Sequence, residues 1–307
     1  MFRLGNINIE IMLKRTLYIG NPAYLKFKDY QMQIIDPETK EIKGSVSVED
    51  LGFLILDHYQ ITISHQLIVA LQGNNVAIIS CDDHHLPHRL MLPMSGHVEH
   101  SERLKYQLNV SEPLRKQLWK QTVEAKISQQ MLLLKKLKKN FEPMADYLNN
   151  VKSGDSTNME GIAAQFYWKQ LFENFTRERE GETPNNFLNF GYAILRSVVA
   201  RAIVSSGLNP TLGIFHRNKY NAYCLADDLM EPYRPYVDEL VFNLLQLPTR
   251  PTELSREIKT EILKIMTADV LMMQKLRPLL VAVSSTTSSL YKCYTGEKRV
   301  IHYPMMC

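Results

Sequence analysis

Cysteine is the first thing this sequence has little of. Only Cys81, Cys224, Cys293 and Cys307 occur in 307 residues, far apart and with no CxxC pair. That argues against a disulfide framework or a cysteine zinc site and fits a reducing cytosol. No apolar run reads as long enough to span a membrane, and no secretory core is visible, so no membrane role is expected. Charge of one sign is also scarce. Lys and Arg total 36 against 32 Asp and Glu, a net +4, so any surface for a polyanion must arise from local clustering. No internal repeat and no low-complexity segment is present. What remains is ordinary globular material, 45% hydrophobic and 22% charged, at a length suited to one large domain or two.

Residues 1–11 read as a poorly ordered extension or an upstream start, ahead of Met12 and the strand-forming MLKRTLYIGNPAYL. Short β-branched and aromatic runs follow at Thr16–Ile19, Tyr24–Phe27, Gln31–Ile35, Val46–Val48 and Leu51–Leu56, punctuated by Gly20-Asn21-Pro22 and Asp36-Pro37-Glu38. Ser64 caps a short helix, His65–Leu71, which stops at Gly73-Asn74-Asn75; Val76–Ser80 and Leu90–Leu92 close the series. After Pro93 the period becomes helical, with Ser101 and Ser111 as caps and a long helix near 112–139 ending in a lysine run. Further helices are expected near 157–175, 189–205, 228–246 and 254–283, and a tail or partner-contacting arm from Gly296 on. The fold class is α+β in two domains: a small N-terminal mainly-β domain over 12–93, a hinge over 94–100, and a larger all-α domain over 101–307.

The chemistry gathers in Leu212–Tyr236 and at the helix start Asn158-Met159-Glu160-Gly161. Glu160, His216 and Glu231 would form a partial shell for Mg²⁺ or Mn²⁺, with Asp227 and Asp228 joining it or orienting it from outside. Such a shell suits metal-assisted phosphodiester chemistry. Each glutamate also has an innocent reading. Thr157-x-x-Glu160 and Asp228-x-x-Glu231 both fit capping boxes, and local pattern alone does not choose between cap and ligand. Gly161, Ala163 and Ala164 leave room around Glu160 for another backbone or a ligand. Arg217, Lys219 and Arg234 beside the site, with Arg177 and Arg179, are candidate DNA contacts; Arg196 and Arg201 on an apolar helix read equally as buried ion pairs. His84, His85, His88, His97 and His100 match no closed zinc spacing and read as a polar hinge facing DNA or another subunit.

At these residues the sequence resembles a known family. STNMEGIAAQFYW followed by LGIFHRNKYNAYCLADDLMEPYRP is similar to the Cas1 family of CRISPR-associated spacer integrases, and VEDLGFLILDHYQITISHQLIVALQGNNVAIISCDD resembles that family's strand–helix–strand module. The likeness runs from Met12 through nearly the whole chain and is greatest to the type II branch. The resemblance implies a prokaryotic cytoplasmic homodimer, two copies of which are bridged by a Cas2 dimer, with the large effector Cas9 as a further partner. It implies insertion of prespacer DNA at the leader–repeat junction of a CRISPR array, by metal-dependent transesterification from a DNA 3′-hydroxyl. By matching position, Glu160, His216 and Glu231 would be the ligands, with Asp227 and Asp228 as alternatives for the last carboxylate. Two other readings stand beside this one: a stand-alone nuclease on branched DNA, and a non-catalytic dimeric DNA scaffold.

Overall fold

The computed structural model describes residues 14–94, 96–178 and 181–306. The extension expected over residues 1–11 lies outside them. The first part of the chain carries β1 (Arg15–Ile19), β2 (Ala23–Lys28), β3 (Gln31–Ile35), β4 (Ile42–Ser47), β5 (Leu51–Leu56), β6 (Ile61–Ile63), β7 (Ala77–Cys81) and β8 (Pro87–Met91), with α1 (His65–Gly73) between β6 and β7. They form two four-stranded sheets, ordered β1-β5-β7-β8 and β4-β3-β2-β6. The three-residue strand β6 is the one the sequence pattern does not reveal.

β1, β5 and β7 pair in parallel and β8 runs antiparallel beside β7. A parallel strand is covered on both faces, which explains the unbroken apolar run Leu51-Gly52-Phe53-Leu54-Ile55-Leu56. Phe53, Ile55, Ala77 and Ile79 join the large helical core. Leu54 and Ile78 face the other way and close over Leu25, Met32, Leu67 and Leu71. One sheet is thus a wall shared by the β half and the helical half.

The second half contains α2 (His100–Leu108), α3 (Glu112–Lys136), α4 (Pro143–Asn149), α5 (Met159–Leu171), α6 (Asn185–Ser205), α7 (Cys224–Met230), α8 (Arg234–Leu245) and α9 (Arg256–Leu263), then β9 (Asp269–Met272), β10 (Lys275–Pro278) and α10 (Leu279–Tyr294). Ser64 and Ser111 cap α1 and α3, each hydroxyl accepting from a backbone amide three residues on, whereas Ser101 lies inside α2. The helix expected near 228–246 is two helices, because Pro232 interrupts the ladder and a 3-10 turn, Glu231–Tyr233, joins α7 to α8. The helix expected near 254–283 is instead a helix, a hairpin and a helix. Met273 and Gln274 both adopt positive φ, 49° and 62°, and turn β9 back onto β10, with Val270 and Met272 fully buried.

α6 corrects another expectation. Among the described residues it is the one helix long and apolar enough to cross a bilayer, but 72% of its apolar window is buried inside the fold, and it packs on β7 and β8 as a core helix. The expected arm at the end of the chain folds back on α3. Gln121 Nε2 donates to the Arg299 carbonyl while its Oε1 accepts from the Ile301 amide, both at 2.9 Å. Gln129 repeats this with the Pro304 carbonyl and the Met306 amide.

Asp57, at the end of β5, ties the two halves together. Its buried carboxylate accepts from Lys259 Nζ on α9 (2.7 Å) and from the Tyr18 hydroxyl (2.5 Å), and pairs with His85 Nδ1 (2.8 Å). His85 thus contacts Asp57 while its own side chain stays 49% exposed. Burial alone would raise the Asp57 pKa, but hydrogen bonds from Lys259, Tyr18 and His85 outweigh it and hold the carboxyl below its ordinary value. The stabilisation is complete above the ordinary carboxylate pKa and is lost as pH falls through the lower folded-state value. Asp57→Ala should cost about 3–5 kcal/mol, because it leaves the Lys259 ammonium buried and unpaired. A lowered urea midpoint, largely recovered by adding Lys259→Met, is the expected outcome. In acid titrations Asp57→Asn should lose less stability below about pH 4 than the wild type.

Candidate metal centre

The buried stripe of α3 runs Leu118, Trp119, Thr122, Val123, Lys126, Ile127, Gln129, Gln130, Leu133 and Leu134. A stripe at this spacing is an ordinary inward face, except that one member is a lysine only 7% exposed. Lys126 Nζ makes ion pairs with Glu160 Oε1 and, at 2.5 Å, with Glu231 Oε2. Two of the three predicted ligands, distant in sequence, thus converge on one ammonium. Burial works against the charged lysine, yet Glu231 and Glu160 hold its pKa above the usual value. The sequence reading misses Lys126, although its register within the apolar stripe of α3 is the signal that could have found it.

Glu160 is free to take part because it is not a cap. The first amides of α5, those of Met159 and Glu160, donate to the two carboxylate oxygens of Asp155 at 2.8 and 3.0 Å. Asn158 occupies the cap position with φ 53°, and the Thr157 hydroxyl donates to the Asn150 carbonyl. The room at Gly161 serves Asn158, since a Cβ there would come within 2.9 Å of the asparagine side chain. The second capping box also fails to form, because Asp228 lies within α7 and Glu231 opens the 3-10 turn after it. The non-catalytic scaffold reading loses its local geometric support.

Glu231 is 6% exposed. Its Oε1 pairs with Arg234 Nε at 2.9 Å, while Oε2, beside Lys126, is buried without a well-angled hydrogen bond. Burial would lift this carboxyl, but Arg234 and Lys126 more than offset that, and its pKa is lowered. It stays ionised.

His216 is held from behind. Its Nδ1 meets Asp228 Oδ1 at 2.5 Å, and the fully buried Asp228 also accepts the amides of Phe215 (2.9 Å) and His216 (3.3 Å). Phe215 stacks on Trp119 of α3 with centroids 4.4 Å apart, and the imidazole stands edge-on to the same indole. The Asp228 bond raises the His216 pKa, with Glu231 contributing through its charge. The Asp228 carboxyl is itself pushed up by burial, although the three donors favour its charged form. With Nδ1 engaged, Nε2 is the nitrogen available to a ligand, the arrangement seen where a carboxylate orients a metal-binding histidine. Asp228 is therefore an orienting group. Asp227 is committed elsewhere, in a bidentate pair with Arg196 (2.6 and 2.7 Å) and a hydrogen bond from Asn221. Among the described residues, no three His, Cys, Asp or Glu side chains gather closely enough to cage an ion in this arrangement.

The candidate DNA contacts divide. Arg217 and Lys219 are exposed and line, with Arg115, Asn218 and His216, a cleft of about 270 Å³. Arg217 also pairs with Glu112 at 3.0 Å. Arg234 is turned inward, onto Glu231 and the Tyr192 ring. Arg177 donates to Asn185 and Asn189. Arg201 donates to the Asn75 carbonyl across the shared wall. Arg179 lies outside the described residues.

Comparison with known proteins follows the same lines. A family model described as CRISPR associated protein Cas1 matches residues 17–250. The CRISPR-associated endonuclease Cas1 of Neisseria meningitidis serogroup C is 34% identical over 256 residues, 82% of this chain and 83% of its own length. A Cas1 endonuclease of Pyrobaculum aerophilum is 27% identical over 201 residues, 61% of this chain and 68% of that one. In fold, a casposase bound to integration product matches with a TM-score of 0.79 at 21% identity, over 94% of this chain and 92% of that one. A Cas1 protein from Thermotoga maritima matches at 0.74 and 16%, over 94% and 99%. A Cas6-RT-Cas1–Cas2 complex matches at 0.74 and 18%, over 95% of this chain and 36% of that one. With the family model spanning most of its length and a relative 34% identical over 82% of it, the chain belongs to the Cas1 family of CRISPR-associated proteins.

Proposed function

We propose that this protein is a metal-dependent DNA integrase of CRISPR adaptation. It would join the 3′-hydroxyl of a prespacer to a phosphodiester of the leader–repeat DNA. The observation that carries this reading is the convergence of Glu160 and Glu231 on a single cationic position, beside an imidazole locked by Asp228. The family adds support, as do the Neisseria relative, named an endonuclease, and a fold neighbour bound to integration product.

The donor set fits a hard divalent cation. Two carboxylates and one imidazole suit Mg²⁺ or, with the nitrogen, Mn²⁺, and Glu231 Oε2 is a buried oxygen already facing a cation, the Lys126 ammonium at 2.5 Å. Glu160, His216 and Glu231 would hold the ion, which when bound supplies charge neutralisation at the phosphodiester. The protein's own residues do the rest. Asp228 keeps the imidazole in one orientation and one tautomer, Arg234 keeps Glu231 ionised, and Arg217 and Lys219 offer the cleft a positive edge for the DNA backbone. No covalent nucleophile from the protein is needed, because positioning and electrostatics account for this chemistry. The working assembly we infer is a homodimer in the prokaryotic cytoplasm, paired with Cas2 and acting beside Cas9. A Cas1–Cas2 complex among the fold neighbours supports the Cas2 part of this inference.

Three outcomes test this. Glu160→Ala and His216→Ala should each lower strand transfer into supercoiled array plasmid by about 100-fold or more, with Cas2 and Mn²⁺ present and folding unchanged by circular dichroism. Undiminished joining by either variant would remove the site. Asp228→Asn, which keeps the shape but loosens the histidine, should cost about 10–100-fold in activity or metal affinity. Arg217→Ala and Lys219→Ala should weaken duplex binding alike for all sequences, each lowering the slope of log affinity against log salt by about 1.

A further inference from the structure

Lys126 belongs to no ligand set, yet it stands where a divalent ion would be wanted. Its ammonium touches both Glu160 and Glu231, and Arg234 neutralises Glu231 from the other side. Two negative and two positive charges close this group without any metal. A +2 ion added to it would leave a buried excess of positive charge unless one cation left, and burying unpaired charge is costly.

The two cations are not equally able to leave. The Arg234 guanidinium is held over the Tyr192 ring at 4.7 Å as well as on Glu231. Lys126 carries a compact charge on a flexible four-carbon stem. One of its partners, Glu160, has a side chain 31% exposed, against 8% for Glu231. The Glu160 side is therefore both the way in for an ion and the way out for Nζ.

We propose that Lys126 is a resident counter-ion of the unloaded centre: it holds Glu160 and Glu231 together, competes with the divalent ion for them, and on displacement turns its ammonium towards the phosphodiester. This rests on reading Glu160, His216 and Glu231 as the metal ligands. The two charge states then have different counter-ions for one pair of carboxylates. With the ion in, Arg234 present and a monoanionic phosphodiester bound, the charges sum to zero without Lys126. The further negative charge that builds on the phosphoryl oxygens during transfer is what the freed ammonium is placed to meet.

The test is Mn²⁺ binding to the full chain, followed by the electron paramagnetic resonance of free Mn²⁺, with thermal melts in EDTA and in Mn²⁺. Lys126→Met should bind Mn²⁺ at least about tenfold more tightly than the wild type, since its competitor is gone. It should also melt lower in EDTA, gain more from Mn²⁺ than the wild type does, and join DNA more slowly at saturating Mn²⁺. A variant that folds only with Mn²⁺ would be the extreme of the same result, and Lys126→Gln provides the comparison in EDTA. Equal or weaker Mn²⁺ affinity in folded Lys126→Met and Lys126→Gln overturns the competition while leaving the metal centre standing. Wild-type Mn²⁺ binding that Glu160→Gln does not reduce removes the metal centre itself, and the competition with it.

Discussion

A buried ammonium on the inner face of α3 sets the terms for everything around it. Nothing apolar can satisfy Lys126, so carboxylates must be brought to it, and they must come from elements that α3 packs against. α5 supplies Glu160 from its first turn, and the 3-10 turn between α7 and α8 supplies Glu231. That requirement explains two local features which otherwise look odd. Asp155 takes over the capping of α5, which releases Glu160. Pro232 breaks what would be one helix, and the break is where Glu231 sits. The irregularities of the chain lie where the charge has to be delivered.

The same logic of satisfied polar burial runs through the rest of the centre. α3 contacts the end of the chain through Gln121 and Gln129, each using its amide as donor and its carbonyl as acceptor to one backbone segment. Asp228 is fully buried and accepts from three donors, two of them backbone amides of the very segment whose histidine it orients. Networks of this kind are favourable only when every member is paired, and then they leave little freedom of position. The proposed chemistry, which would hold a phosphodiester and a 3′-hydroxyl in register, would need that loss of freedom.

Much of the layout could be read from residue pattern, and the exceptions have physical causes. The strands β1 to β5 and β7, and the cap of α1, follow from β-branched runs and Ser64, because those signals are local. Glu160, His216 and Glu231 stand out in the sequence, but spacing alone does not separate ligand from cap. The choice depends on where Asp155 and Asp228 point, which is a matter of tertiary structure. Lys126 escaped because a lysine between helical neighbours reads as a surface residue, and only its register with Trp119, Val123 and Ile127 says otherwise. The hairpin of β9 and β10 escaped because Asp269–Met272 is as apolar as a helix face, and the turn that separates the strands is Met273-Gln274 rather than a glycine.

The β half reaches the centre through α6. α6 touches the shared sheet at one end, where Arg201 donates to the Asn75 carbonyl and lies over the Phe53 ring. Less than two turns earlier, Arg196 grips Asp227, the neighbour of the residue that orients His216. Earlier still, Tyr192 donates to Asp238 of α8, which also accepts from Tyr167 of α5 at 2.7 Å. Burial pushes the Asp238 carboxyl up to about 6 despite these two bonds, so tying the three helices together costs part of the stability that the bonds provide. Each side chain of the centre is thereby referred to a frame that begins in the sheet: Glu160 through α5, Glu231 through α8 and Arg234, and His216 through Asp228. Sites carried on helices and strands hold their geometry more closely than sites carried on loops. Here the loop that bears His216 is the exception, and its tether to Asp228 and its stack on Trp119 do for it what a helix does for the other two.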